Sequence, residues 1–203
     1  MMELYLLRHG RSAANEKKLV TGDKSDDLTP EGREQAHAVK RLLALFNLDH
    51  PSTRCFVSDW QRARETAALV APDREFIVDA RLGETAAGSV ANMALAAFTK
   101  EYPEFWNDFD PGRPYPDGES HRDLYDRVLA WRTDLENTLP YGARVLAVTH
   151  AGPVCCLLHA ACKVSLEHFP MFLAANASLT KLERQKNASW RLAFFSLPLE
   201  AAL

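Results

Sequence analysis

Several things this chain lacks set its limits. None of its apolar stretches is long enough to span a bilayer. The first apolar run stops at Arg8 and His9, too early to form the core of a secretory leader. A cytoplasmic protein with no membrane partner is therefore expected. One-sided charge is also missing: 24 Lys and Arg against 27 Asp and Glu leave a net charge of −3. Such a balance gives no footprint for nucleic acid or anionic lipid, so any anion must be held by a few placed cations. The four cysteines show no CxxC spacing, and Cys155 and Cys156 are adjacent inside the apolar run Val154–Leu158. With Cys55 and Cys162 they are expected as buried free thiols rather than disulfides or metal ligands. No HExxH or paired-carboxylate spacing accompanies the histidines, which argues against a metal site.

What remains is the composition of a soluble globular protein, 47% hydrophobic and 25% charged over 203 residues. That length suits one domain, 1–203. Short apolar runs predict strands at Leu4–Leu7, Arg54–Ser58, Glu75–Val78 and Val145–Thr149. Helices are predicted between them: from Thr29-Pro30 to Phe46, from Asp59 to Val70, from Glu119 to Leu139 and from Pro153 to Cys162. Ser178–Glu183 and Trp190–Phe195 form a closing strand pair at an edge. This alternation predicts an α/β three-layer sandwich, with a mostly parallel central sheet flanked by helices. Between about 85 and 118 the pattern loosens. Short helices are expected at Ala91–Phe98 and Pro103–Phe109, and Asp110–Gly118 must be loop. The segment is expected as an insertion over the C-terminal end of the sheet, either a lid and substrate wall or a surface excursion.

Two predicted strands each deliver a histidine to a glycine-containing turn: Arg8-His9-Gly10 and Thr149-His150-Ala151-Gly152. Ligands of open parallel sheets bind beyond the carboxyl ends of strands. Two imidazoles placed there with an arginine suit an anionic substrate and a nucleophilic nitrogen. Further blocks follow in order: Asn15, Leu28-Thr29-Pro30-Glu31-Gly32, Arg62 within an Arg-x-x-x-Thr-Ala segment, Arg81-Leu82-x-Glu84 and Gly118-Glu119-Ser120. Taken together over nearly the whole chain, these resemble the histidine phosphatase superfamily, whose fold is shared by cofactor-dependent phosphoglycerate mutases and many small phosphatases.

The resemblance implies His9 as a nucleophile that becomes phosphohistidine, with Arg8, Arg62 and His150 holding the phosphoryl oxygens and Asn15 near the same pocket. It implies Glu84 as general acid, with Glu119 in reserve because Gly118-Glu119-Ser120 opens a helix near the same site. Ser89-Val90-Ala91-Asn92 departs from the family's usual aromatic-acidic-glycine continuation. No cofactor is implied. The chemistry agrees: phosphoryl transfer is mostly positioning and charge stabilisation, and guanidinium forks match phosphate geometry. An attacking imidazole must be neutral, so its other nitrogen should rest on a backbone carbonyl. A titrating carboxylic acid predicts activity best at mildly acidic to neutral pH. The remaining histidines, His37, His50, His121, His159 and His168, are read as structural, and Arg64 as a solvated charge.

Mutases of the family carry a longer insertion with paired arginines, whereas Thr85–Asp117 offers only Lys100 and Arg113. Hydrolysis of a small phosphorylated metabolite is therefore expected, with mutase activity and a non-catalytic phosphate-binding module as alternatives. Tyr102, Phe105, Trp106 and Phe109 suggest either a ring-bearing substrate or packing of the insertion onto the sheet. A homodimer is left open.

Overall fold

A computed structural model describes residues 1–198. Strand β1 (Met2–Arg8) runs parallel to β4 (Arg144–Thr149), setting Leu7 beside Val148 and Arg8 beside Thr149. β4 pairs in parallel with β2 (Arg54–Val57), which carries the short β3 (Ile77–Val78). On its other side β1 pairs antiparallel with β5 (Leu179–Arg184), and β5 with the edge strand β6 (Trp190–Leu197). The order is thus β3-β2-β4-β1-β5-β6, a mixed sheet whose parallel part forms one side. The predicted third strand contracts from four residues to Ile77 and Val78. These lie at the sheet edge, 46% and 53% exposed, where little apolar burial rewards longer pairing.

Strand alternation divides the core. Leu4, Leu6, Val145 and Ala147 face α6 (His121–Thr138) and α7 (Ala151–Cys162), with Trp131 buried edge-on against Phe56. Tyr5, Leu7, Leu146 and Val148 face α2 (Pro30–Leu45) and α3 (Gln61–Val70). Each fully buried leucine contributes about 2 kcal/mol of transfer free energy, so both layers are strongly anchored. The helix α2 begins as predicted: Thr29 Oγ1 accepts from Gly32 N at 3.0 Å, and Pro30 fills the first turn. Cys55, Cys155 and Cys156 are buried and all four cysteines are free. Cys162 is exposed, because it falls on the outer side of the last turn of α7.

A third, smaller apolar cluster joins Val20 to Ala87, Val90, Phe98 and Tyr115. It binds the loop after α1 (Ala13–Glu16) to the 85–118 segment, which holds α4 (Leu95–Glu101) and α5 (Glu104–Asn107). The helix expected at Ala91–Phe98 starts later, at Leu95. Asn92 N donates to Val20 O, Leu95 N to Lys18 O, and Leu19 bridges Ala94, so this stretch is committed to an extended pairing first.

Candidate active site

His9 leaves the end of β1, and its backbone N–H donates to Thr149 O at 2.9 Å, linking the two histidine turns. Gly10 is required by close approach: a Cβ there would lie 2.3 Å from Gly32 O. The buried His9 ring has Nδ1 2.7 Å from Gly10 O. A carbonyl only accepts, so Nδ1 carries the proton and Nε2 presents its lone pair. That lone pair accepts from Arg62 Nε at 3.0 Å. Burial, then the Arg62 and Arg8 charges, push the His9 pKa well below the ordinary histidine range. His9 is therefore a neutral imidazole with an oriented Nε2.

Arg62, on the first turn of α3, is almost completely buried. Its Nη1 donates to Asp23 O and to Asp26 Oδ2, both at 3.2 Å, and Nη2 donates to Thr21 O at 2.9 Å. Four of the five guanidinium N–H groups are thus engaged, and its face lies 4.6 Å from the Trp60 ring centroid. His150 closes β4 with its ring centroid 4.9 Å from that of His9. Its Nε2 lies 2.9 Å from Ser58 Oγ, and its buried Nδ1 has no protein partner. Burial and the neighbouring cations hold its pKa well below the usual value too. Arg8 donates from Nη1 to Ala174 O, while its buried Nε is unpartnered. Arg8, next to His9 in the chain, and His150, whose ring lies beside that of His9, thus each keep an unpaired buried polar atom, an arrangement that suits an anion.

Glu84 lies just beyond the single helical turn Ala80–Leu82. Its Oε2 accepts from Gly152 N at 3.2 Å at the start of α7, and its Oε1 from Thr85 N at 3.0 Å. Its charge acts on both Arg8 and Arg62. Glu119 is differently committed. Its Oε1 accepts from Arg127 Nη2 at 2.6 Å and from Ala86 N at 2.9 Å, and its Oε2 from Arg127 Nε at 3.1 Å. The structure therefore separates the two carboxylates: Glu84 faces the cationic pocket and Glu119 ties down the chain behind it.

Residues 4–196 match the family model of the histidine phosphatase superfamily (branch 1). The chain belongs to that superfamily. Among curated relatives, the probable phosphoglycerate mutase GpmB of Photorhabdus laumondii is 31% identical, over 91% of this chain and 86% of its own length. The Escherichia coli protein of the same name is 32% identical, over 78% of this chain and 74% of its own. Among solved structures, a mycobacterial glucosyl-3-phosphoglycerate phosphatase complexed with VO3 superposes with a TM-score of 0.83 at 27% identity, covering 96% and 98% of the two chains. An Escherichia coli putative alpha-ribazole-5'-P phosphatase superposes equally well, with a TM-score of 0.83 at 24% identity over 97% and 98%, and shows the fold alone.

Within this histidine phosphatase pocket, Asn15 does not touch His9. Its Oδ1 accepts from Ser12 N and from Asn176 Nδ2, at 3.2 and 3.0 Å. Asn176 in turn donates to His9 O at 3.1 Å, so Asn15 reaches the His9 turn through a residue the sequence did not single out. Arg127 is another unforeseen part. It donates to the carbonyls of Arg81, Gly83 and Glu84 at 2.7, 3.0 and 2.9 Å, gripping the segment that carries Glu84. Its position seven residues into α6 resembled any solvated charge. Of the histidines read as structural, His37, His50 and His168 are exposed and His159 is buried on Ser165 O at 3.1 Å. His121 lines a cavity of about 770 Å³ beside the site, together with Thr21, Phe98, Phe105, Trp106 and Tyr115.

Proposed function

We propose that this protein is a metal-independent phosphatase that hydrolyses small-molecule phosphate monoesters through a phosphohistidine on His9. The state of His9 carries the reading: a neutral imidazole, its proton fixed on Gly10 O and its Nε2 facing Arg8, Arg62 and His150. Nε2 attacks phosphorus as Arg62 Nε–H passes from that nitrogen to a phosphoryl oxygen. The phosphorus–oxygen bond to the leaving alcohol breaks, and Glu84 gives that oxygen its proton. The Glu84 carboxylate then takes a proton from water as the water oxygen attacks phosphorus. The phosphorus–nitrogen bond breaks, freeing His9 and inorganic phosphate. The guanidiniums, preorganised and desolvated, stabilise the charge spread over the equatorial oxygens, and the unpartnered Arg8 Nε and His150 Nδ1 add donors. Asn15 acts indirectly, holding the His9 turn through Asn176.

The relatives named probable phosphoglycerate mutase favour a second reading, in which the phosphoryl group returns to a phosphoglycerate. Such a substrate needs a cation for its carboxylate. Lys100 is exposed on α4, and Arg113 is occupied by the carbonyls of Glu104 and Asp108, both at 2.6 Å. Among the described residues, no lysine or arginine lines the adjoining cavity. Both features favour water as acceptor.

Turnover of p-nitrophenyl phosphate in the presence of a chelator tests the reading. His9→Ala should abolish it, a loss of at least about a thousandfold. With an alkyl phosphate, whose leaving oxygen needs protonation, the rate should pass through a maximum at mildly acidic to neutral pH, and a flat profile would count against a titrating acid. Robust interconversion of phosphoglycerates in a coupled assay with bisphosphoglycerate would establish the mutase instead.

A further inference from the structure

We infer that His121 is a specificity-determining residue, the polar anchor of an aromatic leaving-group site that selects ring-bearing phosphate monoesters with a hydroxyl on the ring substituent. This rests on the phosphatase reading and extends it from the phosphoryl group to the alcohol that departs.

The cavity of about 770 Å³ adjoins the reacting groups, none of which lines it itself. On one side Thr21 lines it, and the carbonyl of the same residue accepts from Arg62 Nη2 at 2.9 Å. On the other, Tyr115 and His121 line it within electrostatic reach of the Glu84 carboxylate. A monoester whose phosphoryl group meets Arg62 and whose bridging oxygen meets Glu84 must therefore send the rest of its leaving group into this space. Its walls are aromatic: Phe98 stacks or tilts against Tyr102 and Tyr115 with centroids 5.0 and 5.6 Å apart, and Phe105 stacks on Tyr115 at 5.0 Å. Two of the lining apolar side chains still show open faces, Trp106 at 49% and Leu95 at 41% exposure. A ring entering between them would bury that surface.

His121 is the polar exception in this wall. The ring is packed against Phe169 at 4.6 Å, Phe109 at 5.8 Å and edge-on to Tyr115 at 5.6 Å, which fixes its orientation. Yet Nδ1 is buried without any hydrogen-bond partner. His159 also leaves one ring nitrogen, Nε2, unpartnered, but it sits in the core with Nδ1 on Ser165 O, whereas His121 lines a cavity. Burial holds the His121 pKa down at about 4, so the imidazole is neutral at physiological pH and offers one donor and one acceptor. A hydroxyl matches that pair. A carboxylate does not, because the nearby Glu84 and Glu119 charges repel it.

The test compares leaving alcohols of similar acidity, so that bond chemistry does not bias the outcome. Benzyl phosphate should exceed ethyl phosphate in kcat/KM by about tenfold or more, and Phe105→Ala should erase most of that preference. A benzyl phosphate carrying a meta hydroxymethyl group should be better still. With it, His121→Phe should lose about tenfold in kcat/KM, chiefly through KM. On plain benzyl phosphate the same variant should stay within about twofold, and His121→Gln should recover part of the hydroxymethyl preference. Equal turnover of ethyl and benzyl phosphates, or an equal loss on both benzyl substrates, would overturn the inference while leaving the phosphatase intact. No turnover of any ester, with no phosphohistidine on His9, would remove the phosphatase reading and this one with it.

Discussion

Residues act in this site by what they leave room for as much as by what they donate. Gly152 opens α7 and gives its N–H to Glu84, and a Cβ at that position would stand 2.1 Å from Glu84 Oε1 and 2.9 Å from Leu124 Cδ2. Carboxylate and added methyl cannot share that space, and the movable partner is the glutamate side chain. Gly152→Ala should therefore fold and still bind inorganic phosphate, but with Glu84 swung out of line. General acid–base catalysis typically contributes about 10²–10⁴-fold, so a loss of about a hundredfold in kcat is expected for an alkyl phosphate. A p-nitrophenolate leaving group hardly needs protonation, and its kcat should fall much less. Equal losses on the two substrates would show that Glu84 is not the acid. His9, Arg62 and His150 were legible in the sequence because each stands at a strand end or a helix start, where local pattern predicts its position. Asp26, Ser58 and Asn176 were not. Their roles exist only through space, as in Asn176 reaching the carbonyl of His9, 167 residues away in sequence.

Elements place these residues, and the contact that links α6 to the Glu84 segment deserves a direct measurement. Arg127 spends its guanidinium on three carbonyls, of Arg81, Gly83 and Glu84, and on the Glu119 carboxylate. Both side chains of that ion pair are about one-fifth exposed, at 23% and 19%, so screening is partial. Arg127→Met keeps much of the packing and strands the acceptors, with an expected cost of about 3 kcal/mol. Denaturant unfolding should show it as a lowered midpoint with little change in slope. Because Glu119 loses its Arg127 partner in that background, adding Glu119→Gln should cost clearly less than it does alone; strict additivity would mean that the two do not act as a unit. Element positions in the sheet layers were readable from period and caps, as at Thr29-Pro30. The insertion was read less well: α4 begins four residues late because Asn92 and Leu95 bond back to Val20 and Lys18, a partner no local pattern announces.

The whole molecule carries the consequence of burying several neutral imidazoles together. His9 and His150 are held well below the ordinary histidine pKa, and His121 at about 4, in every case chiefly by burial. In the unfolded chain each would titrate near pH ~6.5. Protons are therefore taken up more readily by the unfolded than by the folded state as pH falls through that value. Stability is full above it and declines toward the lower folded pKa values. For His121 the displacement from 6.5 to about 4 corresponds to ~3 kcal/mol at most, reached only when the pH has fallen to the lower figure. Carboxylates that are held down by cations, such as Glu3 beside Lys181 and Arg144 and Glu183 beside Lys181 and Arg191, add their loss only below the ordinary carboxylate range. The acid limb should thus start in the histidine range. Denaturation midpoints measured at about pH 7.5, 6 and 5 should fall steadily, and His121→Phe, which removes one of these groups, should make the decline shallower. A midpoint constant down to about pH 5 would mean that the pocket admits protons without unfolding, and His9 would then lose its neutral state under the same conditions. Stability and the state of the site consequently share one origin here: the burial that keeps the His9 imidazole unprotonated is what costs the fold stability in acid.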